Sequence, residues 1–496
     1  MTAIPIIPGF HPDPSICRVG DDYYIANSSF EYAPGVPISH SRDLVTWTLV
    51  GNALTRPSQL TPSAGAASAG IYAPTLRHHD GRFYLITTNV AEVSRGHLIV
   101  SADDPAGPWS EPVHTRGTVG IDPDLSWDEN GICHLTWASF HPALQGIASV
   151  PVNPATGELL GEPRLLWPGT GLSHPEGPHL YRIGDWWYLL LAEGGTERGH
   201  AVTIARARTL DGEWEAAPAN PLLTHRSLDL PVQNTGHADL VECADGSWAM
   251  VYLGVRPLGQ TPKFHLNGRE TFIAGVDWAH GWPVVDETRF SPAVADRSFS
   301  DDFSGTLHPR WIAPGAGAER FASSAGASGL DLQADADDVA PRLLACRAED
   351  LDWTAEVHLD ASAGAARFQV RLDADHLYGL TVRGSEIQPV LRIGPSESAL
   401  VALTIDEGEA VALRLRARVP QGDPYRLDPA PDRIELTVVR ADGTEHSWGG
   451  FDGRYLSTEV AGGFTGRVIG VEVLDGRVRL ERFTYDSIIT EGTSAS

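Results

Sequence analysis

The chain has 496 residues, with 64 Asp and Glu against 37 Lys and Arg and a formal charge of −27. That balance repels nucleic acid and anionic membranes, excludes both as partners, and suits a soluble protein with a neutral ligand. The length accommodates two or three domains. Met1-Thr2-Ala3-Ile4-Pro5 shows no basic start, apolar core and cleavage site, and the longest apolar run, Trp186 to Ala192, is too short to span a bilayer. Cys17, Cys133, Cys243 and Cys346 are scattered, with neither disulfide nor metal-knuckle spacing, and read as small core residues. These features together predict a cytoplasmic protein.

In chain order, one pattern returns five times within residues 1–290. Each copy opens on a short polar start and an apolar strand: Asp13-Pro14-Ser15-Ile16, Ala73-Pro74-Thr75-Leu76, Asp122-Pro123-Asp124-Leu125, Gly177-Pro178-His179-Leu180 and His237-Ala238-Asp239-Leu240. A turn follows in each copy (Gly20-Asp21, Asp80-Gly81, Asn130-Gly131, Gly184-Asp185, Asp245-Gly246). A second strand comes next, such as Tyr23-Tyr24-Ile25-Ala26 or Trp187-Tyr188-Leu189-Leu190. A β-strand repeat of roughly 50–60 residues is the mark of a propeller with one copy per blade. The fold class is therefore all-β, opening with a five-bladed β-propeller. The segment Pro57 to Gly70, rich in Ser, Ala, Pro and Gly, is a long loop of the kind that covers a ligand face.

The propeller ends near Trp282-Pro283-Val284-Val285, and Ser291 to Ser300 reads as a linker. A second domain over residues 300–488 opens at Asp301-Asp302-Phe303-Ser304-Gly305. Its alternating strands, among them Phe368 to Leu372 and Leu413 to Ala417, predict an antiparallel β-sandwich. The polar tail Thr490 to Ser496 reads as disordered. No stretch shows sustained helical periodicity.

Equivalent positions of different blades converge on the propeller axis. Asp13 and Asp122 fill the same slot of their repeats, and Glu176 stands one residue before it in the fourth. Three carboxylates on one axis suit acid–base hydrolysis, as of a glycosidic bond, which needs an acid on the leaving oxygen and a second carboxylate across the ring. Aspartate starts with the lower pKa, so Asp13 is the natural base and Glu176 the natural acid. Asp122 would hold Glu176 and raise its pKa by like-charge crowding. A lone Asp-Pro would only cap a turn; three carboxylates in one register favour catalysis.

At these residues the chain resembles glycoside hydrolase family 43, in its β-xylosidase and α-L-arabinofuranosidase branch. The resemblance rests on Pro8 to Ile16, Asp22-Tyr23-Tyr24, Ser29-Phe30-Glu31 to Val36, Ser41 to Trp47 and Ile71-Tyr72-Ala73-Pro74. It continues through Ile121-Asp122-Pro123, Glu176-Gly177-Pro178-His179-Leu180-Tyr181, Gly236-His237 and Gly268-Arg269-Glu270-Thr271. It implies inverting hydrolysis with Asp13 as base, Asp122 as orienting and pKa-setting group, and Glu176 as acid. The Asp13 and Glu176 carboxyls should then stand roughly 6.5–9.5 Å apart. It also implies exo action that releases β-D-xylose, α-L-arabinofuranose or both from short oligosaccharides. No cofactor is required, although His237, in the axial slot of the fifth repeat, would sit beside a divalent cation such as Ca2+ or a water cluster. Arg269 would reach a sugar hydroxyl or balance the carboxylates. Phe30 and Tyr72 would wall the sugar pocket, Tyr72 standing where the family often has Trp. Phe464, in Gly462-Gly463-Phe464-Thr465-Gly466, would reach over from the sandwich. Sandwiches of this kind mediate self-association, so a homo-oligomer is compatible with the resemblance.

Two rivals remain at this level. Retaining fructosidases share the propeller, but their Asn-Asp-Pro-Asn, Arg-Asp-Pro and Glu-Cys motifs are missing here. A non-catalytic carbohydrate-binding propeller predicts the loss of an axial carboxylate, and all three are present.

Overall fold

A computed structural model describes residues 4–61, 66–334, 340–406, 408–420 and 430–488. The tail Thr490 to Ser496 and part of the Pro57–Gly70 segment lie outside the described residues. Five four-stranded antiparallel sheets follow one another along the first half of the chain. Their innermost strands are Ser15–Val19, Thr75–His79, Gly120–Trp127, Glu176–Ile183 and Gln233–Glu242. These five pack side by side in a closed ring, the first against the last. Ring closure is reinforced from the N-terminus, where the Ile6 N–H donates to the Thr271 carbonyl of the fifth blade at 2.9 Å. The five sheets bury apolar faces against one another, and all four cysteines are buried and free.

The entrance to each inner strand explains how the axis is furnished. Asp13, Asp122 and His237 all have positive φ, at 53°, 55° and 45°, and Gly177 takes the same slot in blade four at 57°. In blades three, four and five the strand pairing shifts register at this point, between Ile121 and Asp124, Glu176 and His179, and Gly236 and Asp239. A bulge with a left-handed residue turns the side chain out of strand alternation and toward the axis. Each non-glycine residue held this way costs about 1–3 kcal/mol, a strain characteristic of functional sites.

Residues 287–298 carry no strand, and the second domain begins with Phe299–Asp301. Among the described residues it forms a 13-stranded sheet built on two long strands, Trp353–Arg371 and Val468–Ser487. These two pair along their length, with bulges at His358/Leu359, Asp360/Ala363 and Ala365/Ala366. The bulges fold the sheet on itself: one half continues through His376–Arg383, the other through Val411–Arg418. Both halves share one core, with Trp353, Leu413, Phe368 and Phe483 all buried in it, as in a concanavalin-like sandwich. The sandwich is locked to the propeller. Ala313 and Pro314 pair with Ala33 and Tyr32, and Phe10, Tyr32, Ile312, Leu343 and Val468 form a shared apolar cluster.

Candidate active site

A cavity of about 1180 Å³ opens at one end of the propeller axis, lined by Asp13, Asp122, Glu176, His237 and Arg269, with Phe30 and Tyr72 on its wall. The structure thus brings together every residue singled out from the sequence. The Asp13 carboxylate is almost fully buried, and each of its oxygens accepts one hydrogen bond. Ser28 Oγ donates to Oδ2 at 2.5 Å, and Arg269 Nη1 to Oδ1 at 3.1 Å. Asn27 fixes the backbone below it, donating from Nδ2 to the His11 and Pro12 carbonyls at 2.9 and 3.0 Å. Of the two tasks open to Arg269, the structure shows the charge-balancing one; the same Nη1 also donates to Thr196 Oγ1 at 3.0 Å.

Blade four breaks the slot pattern for a steric reason. A Cβ on Gly177 would lie 2.9 Å from Nε2 of His237. The slot must stay bare, so the carboxylate of this blade is carried by the preceding residue, Glu176. The Gly177 N–H donates to Asp122 Oδ2 at 3.2 Å, which ties the two blades together at the reacting end.

The three carboxyls are driven apart in proton affinity. Burial pushes Asp13 up, but Arg269, His237, Ser28 and His200 together hold it below the ordinary aspartate range. Glu176 is pushed up to about 7 by burial and by the Asp13 charge, partly offset by Arg269. Asp122 is raised well above its usual value by burial, then by Glu176 and Asp13. Glu176 and Asp122 thus act on one another, and Asp13 crowds both, in keeping with the like-charge role expected of Asp122. His237 is held down to about 4, chiefly by burial, and is neutral near pH 7. Its Nδ1 stands 3.6 Å from Asp13 Oδ1. A cation beside His237 would find one imidazole there, so waters would have to supply most of its remaining ligands. Among the described residues no group of three or more His, Cys, Asp or Glu could hold a metal ion.

Phe464 does reach the pocket from the sandwich. Its ring stacks on Phe30 at 5.9 Å and meets Tyr72 edge-on at 5.9 Å, and Phe30 and Tyr72 are in edge contact at 5.4 Å. The Arg269 guanidinium lies over both phenylalanine rings, 5.7 Å from Phe30 and 5.3 Å from Phe464. The short helix Thr458–Ala461, without a signal in the sequence, also faces the cavity, and its Glu459 binds the ring of His265 at 2.7 Å. No residue of Pro57–Gly70 lines the cavity among those described. Residues 194–199 and 226–230 and Thr261-Pro262-Lys263 also line the cavity. Lys263 is the only lysine in the chain.

Two residues beyond the slot, where strand alternation again points inward, stand Ser15, Thr75, Asp124, His179 and Asp239 in blades one to five. Arg77 crosses the axis among them, with Nη2 at 2.8 Å from Asp124 and Nη1 at 2.8 Å from Asp239. Its Nη2 also lies 2.9 Å from His179 Nδ1, and the Tyr181 hydroxyl donates to Asp239 at 2.5 Å. This buried layer plugs the axis beneath the carboxylates, so the opening is a pocket and not a channel.

A closed axial pocket bearing three carboxylates, roofed by a sandwich, defines a two-domain propeller protein of the carbohydrate-processing kind. The chain belongs to glycosyl hydrolases family 43, which matches residues 2–283, and residues 300–481 match the β-xylosidase C-terminal concanavalin A-like domain. It is 48% identical over 294 residues to a xylosidase/arabinosidase of Butyrivibrio fibrisolvens, covering 57% of this chain and 56% of that one. It is 45% identical over 315 residues to a non-reducing end α-L-arabinofuranosidase of Bacteroides ovatus, covering 60% and 58%. The matched stretch thus spans little more than half the length of these curated relatives. Among solved structures, Xyloglucan PUL GH43B of Bacteroides ovatus has a TM-score of 0.87 at 33% identity, covering 98% of this chain and 99% of that one. A xylan β-1,4-xylosidase from Bacillus halodurans has a TM-score of 0.86 at 31% identity, covering 97% and 99%.

Proposed function

We propose that the protein is an exo-acting, inverting glycosidase that releases terminal β-D-xylose, α-L-arabinofuranose or both from short oligosaccharides. The observation that carries this reading is the meeting of Asp13, Asp122 and Glu176 in one axial pocket, with Asp13 paired to Arg269. Asp13 is held ionised by Arg269, while Glu176 titrates near 7. Asp13 accepts a proton from the attacking water, and Glu176 gives one to the departing glycosidic oxygen. Asp122 orients the Glu176 end of the site, its Oδ2 accepting the Gly177 N–H. The flat faces of Phe30, Tyr72 and Phe464 bind the apolar face of the terminal sugar. The names of the relatives, xylosidase/arabinosidase and α-L-arabinofuranosidase, support the sugar class. The Arg77 plug closes the axis below, so one terminal sugar enters and a polymer cannot thread through.

Proton NMR of the first-formed sugar, on xylosides and arabinofuranosides, tests the mechanism. Inverted anomeric configuration is expected, and net retention would overturn it. Intact xylan should lose almost no viscosity while xylobiose or arabinose-decorated oligosaccharides release single sugars; a sharp viscosity fall would overturn the exo reading.

A further inference from the structure

We propose that Glu31 and Ser68 are positioning residues that clamp Phe464 over the sugar pocket. Glu31 is a buried carboxyl outside the catalytic group, 4% exposed. Its Oε2 accepts the Ser68 N–H at 3.0 Å. The Ser68 hydroxyl in turn accepts the Phe464 N–H at 2.8 Å. One relay therefore runs from the propeller through the loop to the sandwich residue whose ring stacks on Phe30.

The local backbone is shaped for this contact. Ser68 holds a left-handed φ of 58°, which sets its N–H toward Glu31 while its hydroxyl meets Phe464. A Cβ on Gly463 would lie 2.5 Å from Ser68 Oγ, so only glycine permits the approach. The adjoining Gly70 is pressed against the Phe30 carbonyl, where a Cβ would stand 2.2 Å away. Burial raises Glu31 to about 7, partly offset by backbone hydrogen bonds, that of Ser68 among them, and by the Arg371 charge of the sandwich. The relay gives Ser68 of the Pro57–Gly70 loop a bearing on the pocket that it does not itself line. It fixes Phe464 in the conformation that stacks on sugar, so its loss weakens binding of the terminal residue and leaves bond cleavage intact.

The proposal rests on the glycosidase reading for its substrate, and the test keeps the two separable. Steady-state kinetics on a chromogenic xyloside or arabinofuranoside would compare the wild type with Glu31→Ala, Glu31→Gln, Ser68→Ala, Phe464→Ala and the double variants. Loss of one hydrogen bond predicts a KM rise of about fivefold for Glu31→Ala and Ser68→Ala, with kcat within about twofold. Glu31→Gln keeps a carbonyl acceptor for the Ser68 N–H and should restore most of the KM. In the Phe464→Ala background, neither Glu31→Ala nor Ser68→Ala should raise KM further. Independent, additive effects in that background, or losses confined to kcat and melting temperature, would overturn the proposal. Wild type without turnover would sink the glycosidase reading alone. The same cycle read by calorimetry of xylose and arabinose binding would then decide the clamp.

Discussion

Gly177 and His237 share one volume at the propeller axis: a Cβ on the glycine would stand 2.9 Å from the imidazole Nε2. That exclusion is why the fourth blade delivers its carboxylate from Glu176, one residue ahead of the slot used by Asp13 and Asp122. Gly177→Ala should therefore be costly twice, through a left-handed alanine of about 1–3 kcal/mol and through displacement of His237. Thermal denaturation of the single variants and the double would check this. Removing the ring with His237→Ala should recover part of the loss, so the double variant should be less unstable than the sum.

The ionisation split fixes the pH profile. Activity needs Asp13 charged and Glu176 protonated, so kcat/KM should fall on the alkaline side as pH passes about 7. On the acid side it should persist below the ordinary aspartate range, because Asp13 is held low. Asp122 and Glu176 raise one another, so Asp122→Asn should move the alkaline limb downward, whatever it does to the rate. An unmoved limb would show that Asp122 does not set the Glu176 affinity.

Leaving-group dependence separates the two proposed catalytic groups. Asp13→Ala should abolish turnover on every substrate, since no group remains to activate water. Glu176→Ala should be severe on natural oligosaccharides and mild on aryl glycosides with acidic leaving groups, which need little protonation. Rates over a series of substituted phenyl glycosides would give the comparison, and equal losses across the series would count against Glu176 as the acid.

The axial plug makes a stability prediction. Arg77→Met leaves Asp124 and Asp239 buried without their cation, at a cost of about 3–5 kcal/mol, readable by urea denaturation. Asp239 is itself subject to burial, but Arg77, His179 and Tyr181 hold it down to about 2. A depressed carboxyl stabilises the fold above its unfolded pKa near 3.9, by about 2–3 kcal/mol here, and this is lost as pH falls from about 4 to 2. The Arg77→Met protein should lose that part of its acid dependence.

The axial carboxylates were legible in the sequence because the blade repeat places equivalent residues on one axis, and Glu176 betrayed itself by its one-residue offset. The cause of that offset was not legible, since it is a contact between residues 60 positions apart in different blades. The plug left a trace: Asp124, His179 and Asp239 interrupt otherwise apolar inner strands at one register. Ser28, Asn27 and Thr196 left none, because their roles rest on chain segments that meet only when the ring closes. The helix Thr458–Ala461 has four residues, too few to show a period. Composition marked the Pro57–Gly70 loop as one that covers a ligand face, but it cannot express the contact of Ser68 with Phe464, which depends on the sandwich.

A solitary lysine at the pocket entrance has a practical meaning. Apart from the α-amino group, amine-directed reagents have one target in this protein, Lys263. Coupling to an amine-reactive support would seat molecules mouth-down on the matrix, a self-inflicted blockage unless the attachment is made elsewhere. The same chemistry with a single fluorophore would place a reporter at the doorway, where the entry of each oligosaccharide could be followed by its light.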